Sequence, residues 1–106
     1  MHVILSFTLV PIDAGSSLSR YVAATEQVLD RHGLTHHLHA NGTNVEGEWE
    51  AVFAAIRECH EVIHDMGAGR IFTTVQLGTR TDRNQRMDDK VASVRRHLDG
   101  DGGGGD

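Results

Sequence analysis

The chain has one cysteine, Cys59, one proline, Pro11, one tryptophan, Trp49, and one tyrosine, Tyr21, in 106 residues. A lone cysteine excludes a disulfide within the chain and any Cys-x-x-Cys metal or redox pair. No apolar run approaches the roughly 20 residues a membrane-spanning helix needs. A single lysine, Lys90, stands beside nine scattered arginines, and the formal net charge is −5. Without a basic stripe or interleaved aromatics, the footprint of a nucleic-acid groove is absent. There is no GxGxxG, no P-loop and no nucleophile elbow, so no catalytic motif or cofactor fingerprint can be assembled. "MHVILSFTLVP" lacks a basic segment before its short apolar run. No secretory leader is therefore expected, and the reading is a soluble, cytoplasmic protein with no membrane partner.

What remains is enough for one thin core: 39% of residues are apolar, somewhat below the usual globular share. Residues 1–98 form the expected domain. "DGDGGGGD", closing the chain from residue 99 to 106, has nothing to bury and is expected to be a disordered tail. Burying a sheet face against a second subunit would thicken the core, so self-association is expected.

"HVILSFTLV" reads as a strand that Pro11 ends, with Val3, Leu5, Phe7 and Leu9 on one face and His2, Ile4, Ser6, Thr8 and Val10 on the other. Ser16 or Ser17 is expected to cap a helix carrying Leu18, Tyr21, Val22, Val28 and Leu29, stopped by Gly33. Two short strands follow around a turn near Asn41-Gly42. Glu48 opens a second helix whose inward stripe is Trp49, Val52, Phe53, Ile56, Cys59 or His60, Ile63 and Met66. "RIFTTVQL" is a fourth strand, with Ile71, Thr73, Val75 and Leu77 opposed to Phe72, Thr74 and Gln76. A charged loop then leads to a helix with Met87, Val91, Val94 and Leu98 at helical spacing. The order β-α-β-β-α-β plus a C-terminal helix points to an α+β, ferredoxin-like sandwich. Its four-stranded antiparallel sheet has both main helices on one face, and the open face is the expected place for function.

"HHLHANGTNVEGEW" raises the question of metal. His37 and His39 share a strand face and His36 points away. Two imidazoles could begin a transition-metal site with help from Glu46, but zinc takes three or four ligands. A polar strand face without metal is the simpler reading. His60 and His64 are four apart on a helix. His60 reads as a packed ring with a satisfied hydrogen bond, and His64 as a solvated residue. Cys59 on an inward face reads as structural. Arg80, Asp82, Arg83 and Arg86 could hold a phosphate, or form a solvated loop or an inter-subunit contact.

"GSSLSRYVAA", "NGTNVEGEWEAVFAAIRECHEVIHDMGAGRIFTTVQL" and "MDDKVASVRRHL" together resemble the small thiamine-binding protein family, in order and spacing, over residues 1–98. That resemblance implies a ferredoxin-like fold, dimers or tetramers, and non-enzymatic binding of thiamine or its hydroxymethylpyrimidine portion, with no cofactor. Asn41 and Asn44 depart from the family's more apolar hairpin, as does the histidine run. Thiamine presents an aminopyrimidine edge, flat rings and a permanent cation, which suit hydroxyl and amide groups, an aromatic or aliphatic wall, and a carboxylate. The ligand-binding candidates are Ser6, Thr8, His39, Asn41, Thr43, Phe72 and Thr74. Glu46 matches the family's hairpin carboxylate and is the expected partner of the cation.

Overall fold

The computed structural model describes residues 1–15 and 17–100. Ser16, one of the two expected caps, and residues 101–106 of the expected tail lie outside the described residues. The elements are β1 (His2–Ile12), α1 (Ser19–Arg31), β2 (Thr35–His39), β3 (Gly42–Glu48), α2 (Trp49–Asp65), β4 (Arg70–Thr79) and α3 (Met87–Leu98). The sheet order is β2-β3-β1-β4 with every neighbouring pair antiparallel. This is the expected α+β sandwich.

Alternation in β1 sets the layers. Val3, Leu5 and Phe7 are almost wholly buried and meet Val45 of β3, Leu29 of α1, and Val52, Ala55 and Ile56 of α2. Each such aliphatic or aromatic side chain contributes roughly 1.5–3 kcal/mol on leaving water. A second cluster, Tyr21, Ile63 and Ala68, extends the core toward the far end of β1, where Leu9 and Ile71 pack on it. The alternate residues of β1 and their register partners Asn44, Glu46, Thr74 and Gln76 form the other sheet face.

Several expectations shift in detail. β1 does not stop at Pro11; it continues to Ile12. Its pairing with β3 ends at Phe7 while pairing with β4 continues, so Pro11 sits where β1 has one neighbour and a missing N–H is tolerated. Neither Leu18, the N-cap of α1, nor the preceding Ser17 provides a side-chain cap for it. Gly33, at φ +68°, does terminate that helix. In α2, Val52, Ile56, Cys59 and Ile63 are buried, so the inward residue is Cys59 and not His60. Trp49, expected inward, is 37% exposed and lies against Phe53 with ring centroids 4.9 Å apart. In α3 only Met87 of the apolar stripe is buried; Val91, Val94 and Leu98 are exposed. Further along the same helix Ser93 is also buried.

The hairpin turns on Ala40–Asn41, with His39 and Gly42 still paired. Asn41 does not take positive φ; Gly42 does, at +155°. A Cβ there would lie 2.8 Å from the Phe7 carbonyl oxygen and 3.1 Å from the Thr8 hydroxyl. The expected effect of Gly42→Ala is a loss of roughly 1–3 kcal/mol of stability, read as a lower urea midpoint with unchanged slope. An unchanged midpoint would mean that the turn can swing away from β1.

Candidate functional site

The expected site residues separate into distinct places. Thr8, His39, Asn41 and Thr43 border a cavity of about 720 Å³ between α1 and the β2–β3 hairpin. Ser6 lines a second cavity, of about 480 Å³, on the opposite side of the sheet under the start of α3. Phe72 and Thr74 stand exposed on the open face of β4 and border neither cavity. Within one chain the expected residues, read as a surface on the open sheet face or at a subunit interface, are thus divided between two cavities and the exposed face of β4.

Thr43 was grouped with the open-face residues, but its register partner is Phe7, so it faces the helices with Val45. Glu46 does face the open side, yet its carboxylate is already engaged. It accepts the backbone N–H of Met87 at 3.0 Å and lies 3.3 Å from His2 Nε2, and the residue is only 5% exposed. An acid at the first N–H of α3 satisfies an otherwise orphan donor and complements the positive end of the helix. Glu46 is thus an anchor for α3.

The α1–hairpin cavity is the better candidate. Leu9, Leu18, Val22 and Leu38 give it aliphatic walls. On one side stand Leu18, Ser19 and Val22 at the start of α1; on the other, Gly42 and Thr43 at the start of β3. These are stretches that carried the family resemblance. Between them is Glu26, which lines the cavity and accepts a 2.8 Å hydrogen bond from the Thr43 hydroxyl through Oε2. Its Oε1 lies 3.0 Å from Nδ1 of His36, whose Nε2 lies 2.7 Å from Asp30. His36 therefore points to the helix layer, as the strand alternation requires. Burial disfavours charge on its imidazole, but hydrogen bonds to Asp30 and Glu26 outweigh that and raise its pKa above the ordinary value. Glu26 is a carboxylate fixed from two sides at an apolar wall. Sequence reasoning missed it, although it stands four residues after Val22 and three before Leu29, inside the apolar stripe of α1.

The remaining candidates have structural explanations. Cys59 is wholly buried, and desolvation pushes its thiol up to about 12, far from a reactive thiolate. His60 shares a 2.7 Å hydrogen bond with the Thr73 hydroxyl, and burial lowers its pKa. His64 contacts the Ala68 carbonyl oxygen at 2.7 Å. His37 and His39 do share the open face, where His39 Nδ1 accepts the Asn41 N–H at 3.2 Å and His37 lies 3.9 Å from Asp88. Among the described residues, no group of three or more His, Cys, Asp or Glu side chains is placed to hold a metal ion. No described helix is long and apolar enough to cross a membrane.

Fold and cavity together define a ferredoxin-like α+β domain with a carboxylate set in an aliphatic-walled pocket. The chain belongs to the family described as thiamine-binding protein, whose model matches residues 5–95. A UPF0045 protein of Synechocystis is 50% identical over 99 residues, covering 93% of this chain and 82% of that one. A UPF0045 protein of Bacillus subtilis is 30% identical over 100 residues, covering 90% and 96%. Among solved structures, a hypothetical protein of Methanocaldococcus jannaschii superposes with a TM-score of 0.82 at 22% identity, over 89% of this chain and 96% of that one. A Thermotoga maritima protein, provisionally assigned to thiamine biosynthesis or salvage, gives 0.77 at 19% identity, over 90% and 100%. At those identities the likeness establishes the fold.

The raised His36 pKa makes stability depend on pH in a defined direction. Protonated His36 is held better in the folded chain, so its contribution is fully present below the ordinary imidazole value of 6.5 and is lost as pH rises through the raised folded pKa. Urea titrations across this window should show the stability gap between the parent protein and His36→Gln shrinking with rising pH. A gap that widens with pH would contradict the assigned contacts.

Proposed function

We propose that this chain binds thiamine or its hydroxymethylpyrimidine portion in the α1–hairpin cavity, without transforming it. The observation that carries the reading is the Glu26 carboxylate, buttressed by Thr43 and His36, in a cavity with aliphatic walls at Leu9, Leu18, Val22 and Leu38 and hydroxyl and amide groups at its hairpin end. Family membership supplies the ligand class; the cavity supplies a chemically suited receptor. An aminopyrimidine offers an exocyclic amino donor, for which Glu26 is a charged acceptor, and a flat ring for Leu18, Val22 and Leu38 to sandwich. A carboxylate held in place before the ligand arrives loses little entropy on binding. The cationic thiazolium is favoured by the same charge and by the net −5 of the chain.

Isothermal titration with thiamine, then with hydroxymethylpyrimidine, tests this directly. Glu26→Gln should weaken both roughly tenfold or more, the scale of a hydrogen bond to a charged group. Glu46→Gln should leave the affinity unchanged, because that carboxylate serves α3 and not the cavity. Absence of heat, together with no thermal stabilisation where a hundredfold excess over the dissociation constant would give ~2.7 kcal/mol, would reject the reading. Weak pyrimidine binding beside strong thiamine binding would move Glu26 to the thiazolium.

Self-association as a dimer or tetramer belongs to the same reading. The open face exposes Phe72 at 63%, and α3 exposes Val94 at 59% and Leu98 at 80%, apolar surface that a second copy would cover. Sedimentation at micromolar concentration should report an oligomer that Val94→Lys weakens; a monomer of the parent chain would rule it out.

A further inference from the structure

The cavity under α3 is chemically unlike the one beside α1. Its floor is the open sheet face, where Ser6, Asn44 and Gln76 bring a hydroxyl and two amides together. Arg80, Arg83 and Lys90 line its side, and no aspartate or glutamate is among the residues that line it. In a chain of net charge −5 that is a local inversion of sign, and a concave surface focuses such a field. Arg80 is pinned at the wall by Asp82 and Gln85, and the Arg80 hydrogen bond holds the Asp82 carboxyl down at about 2. Glu46 reaches the same face, but its carboxylate is turned to the Met87 N–H and His2. Ile4, Met87 and Val91 add apolar surface to the same lining.

We propose that this second cavity is a binding site for a phosphate group, carried on a small organic ester, with Arg83 and Lys90 facing the anion across the Ser6–Asn44–Gln76 floor. Cationic donors and neutral amide or hydroxyl donors together match the acceptor-only surface of a phosphate. The Ile4–Met87–Val91 surface accommodates the organic body. The site is independent of Glu26, which lies on the other side of the sheet.

The test is a titration of isotope-labelled protein with inorganic pyrophosphate, inorganic phosphate and AMP at fixed ionic strength, followed by amide chemical shifts. Saturable shifts are expected at Ser6, Asn44 and Lys90, weakened roughly tenfold in the double variant Arg83→Gln/Lys90→Gln and unaffected in Glu26→Gln. Both substituted side chains are exposed, and the remaining spectrum reports whether the variant keeps its fold. Failure to saturate in the millimolar range, equal shifts with chloride at matched ionic strength, or equal affinity in the double variant would each overturn the site. AMP binding more tightly than inorganic phosphate supports the organic ester; equal affinity overturns the role given to the apolar surface.

Discussion

Every feature of the molecule follows from burying a four-stranded sheet on one side only. Val3, Leu5 and Phe7 of β1 must leave water, and α1 and α2 are the two surfaces that let them. Strand alternation then presents Ile4, Ser6 and Thr8 on the other face. Among the described residues one further helix, α3, starts at that face, and of its apolar stripe only Met87 is buried. A half-covered sheet has space on both sides: a cavity where α1 diverges from the hairpin, and another where α3 bridges the open face.

Two carboxylates divide the work these spaces require. Glu46 is spent on structure, because α3 needs an acceptor at its first N–H, and an acid there gains from both the hydrogen bond and the helix dipole. Glu26 lines the cavity between Thr43 and His36. The imidazoles show how far environment governs otherwise identical groups. His36, between two acids, is pushed toward its charged form, whereas His60, half-buried beside the neutral hydroxyl of Thr73 and near His64, is pushed toward its neutral form. The same residue type is an electrostatic brace in one place and a packed ring in the other.

Most of the architecture was legible in the sequence because periodicity is a local property. β1 declares its core face by strict alternation, α2 by Val52, Ile56, Cys59 and Ile63 at helical spacing, and the end of α1 by Gly33. Where local reading faltered, the cause was a partner remote in sequence. Val91, Val94 and Leu98 have the right spacing for a core face, but no described element arrives to cover them. Pro11 looked like a terminator because nothing in its neighbourhood reveals that β3 stops short of it.

The site was legible only in part. The hairpin turn itself is announced by an Asn-Gly pair with flanking polar side chains, and those residues border the cavity beside α1. The contacts of Glu46 and Glu26 are not written locally, because an acid's partners depend on what its oxygens meet: Met87 lies 41 residues from Glu46, and Thr43 lies 17 from Glu26. The sequence by itself determined the element order, the buried face of each central element and the family. Only the tertiary structure decided which face Thr43 serves, which carboxylate is left to a cavity and where the positive charge gathers. Periodicity is written along the chain, whereas hydrogen-bond partners and the shape of enclosed space exist only once distant segments are packed together.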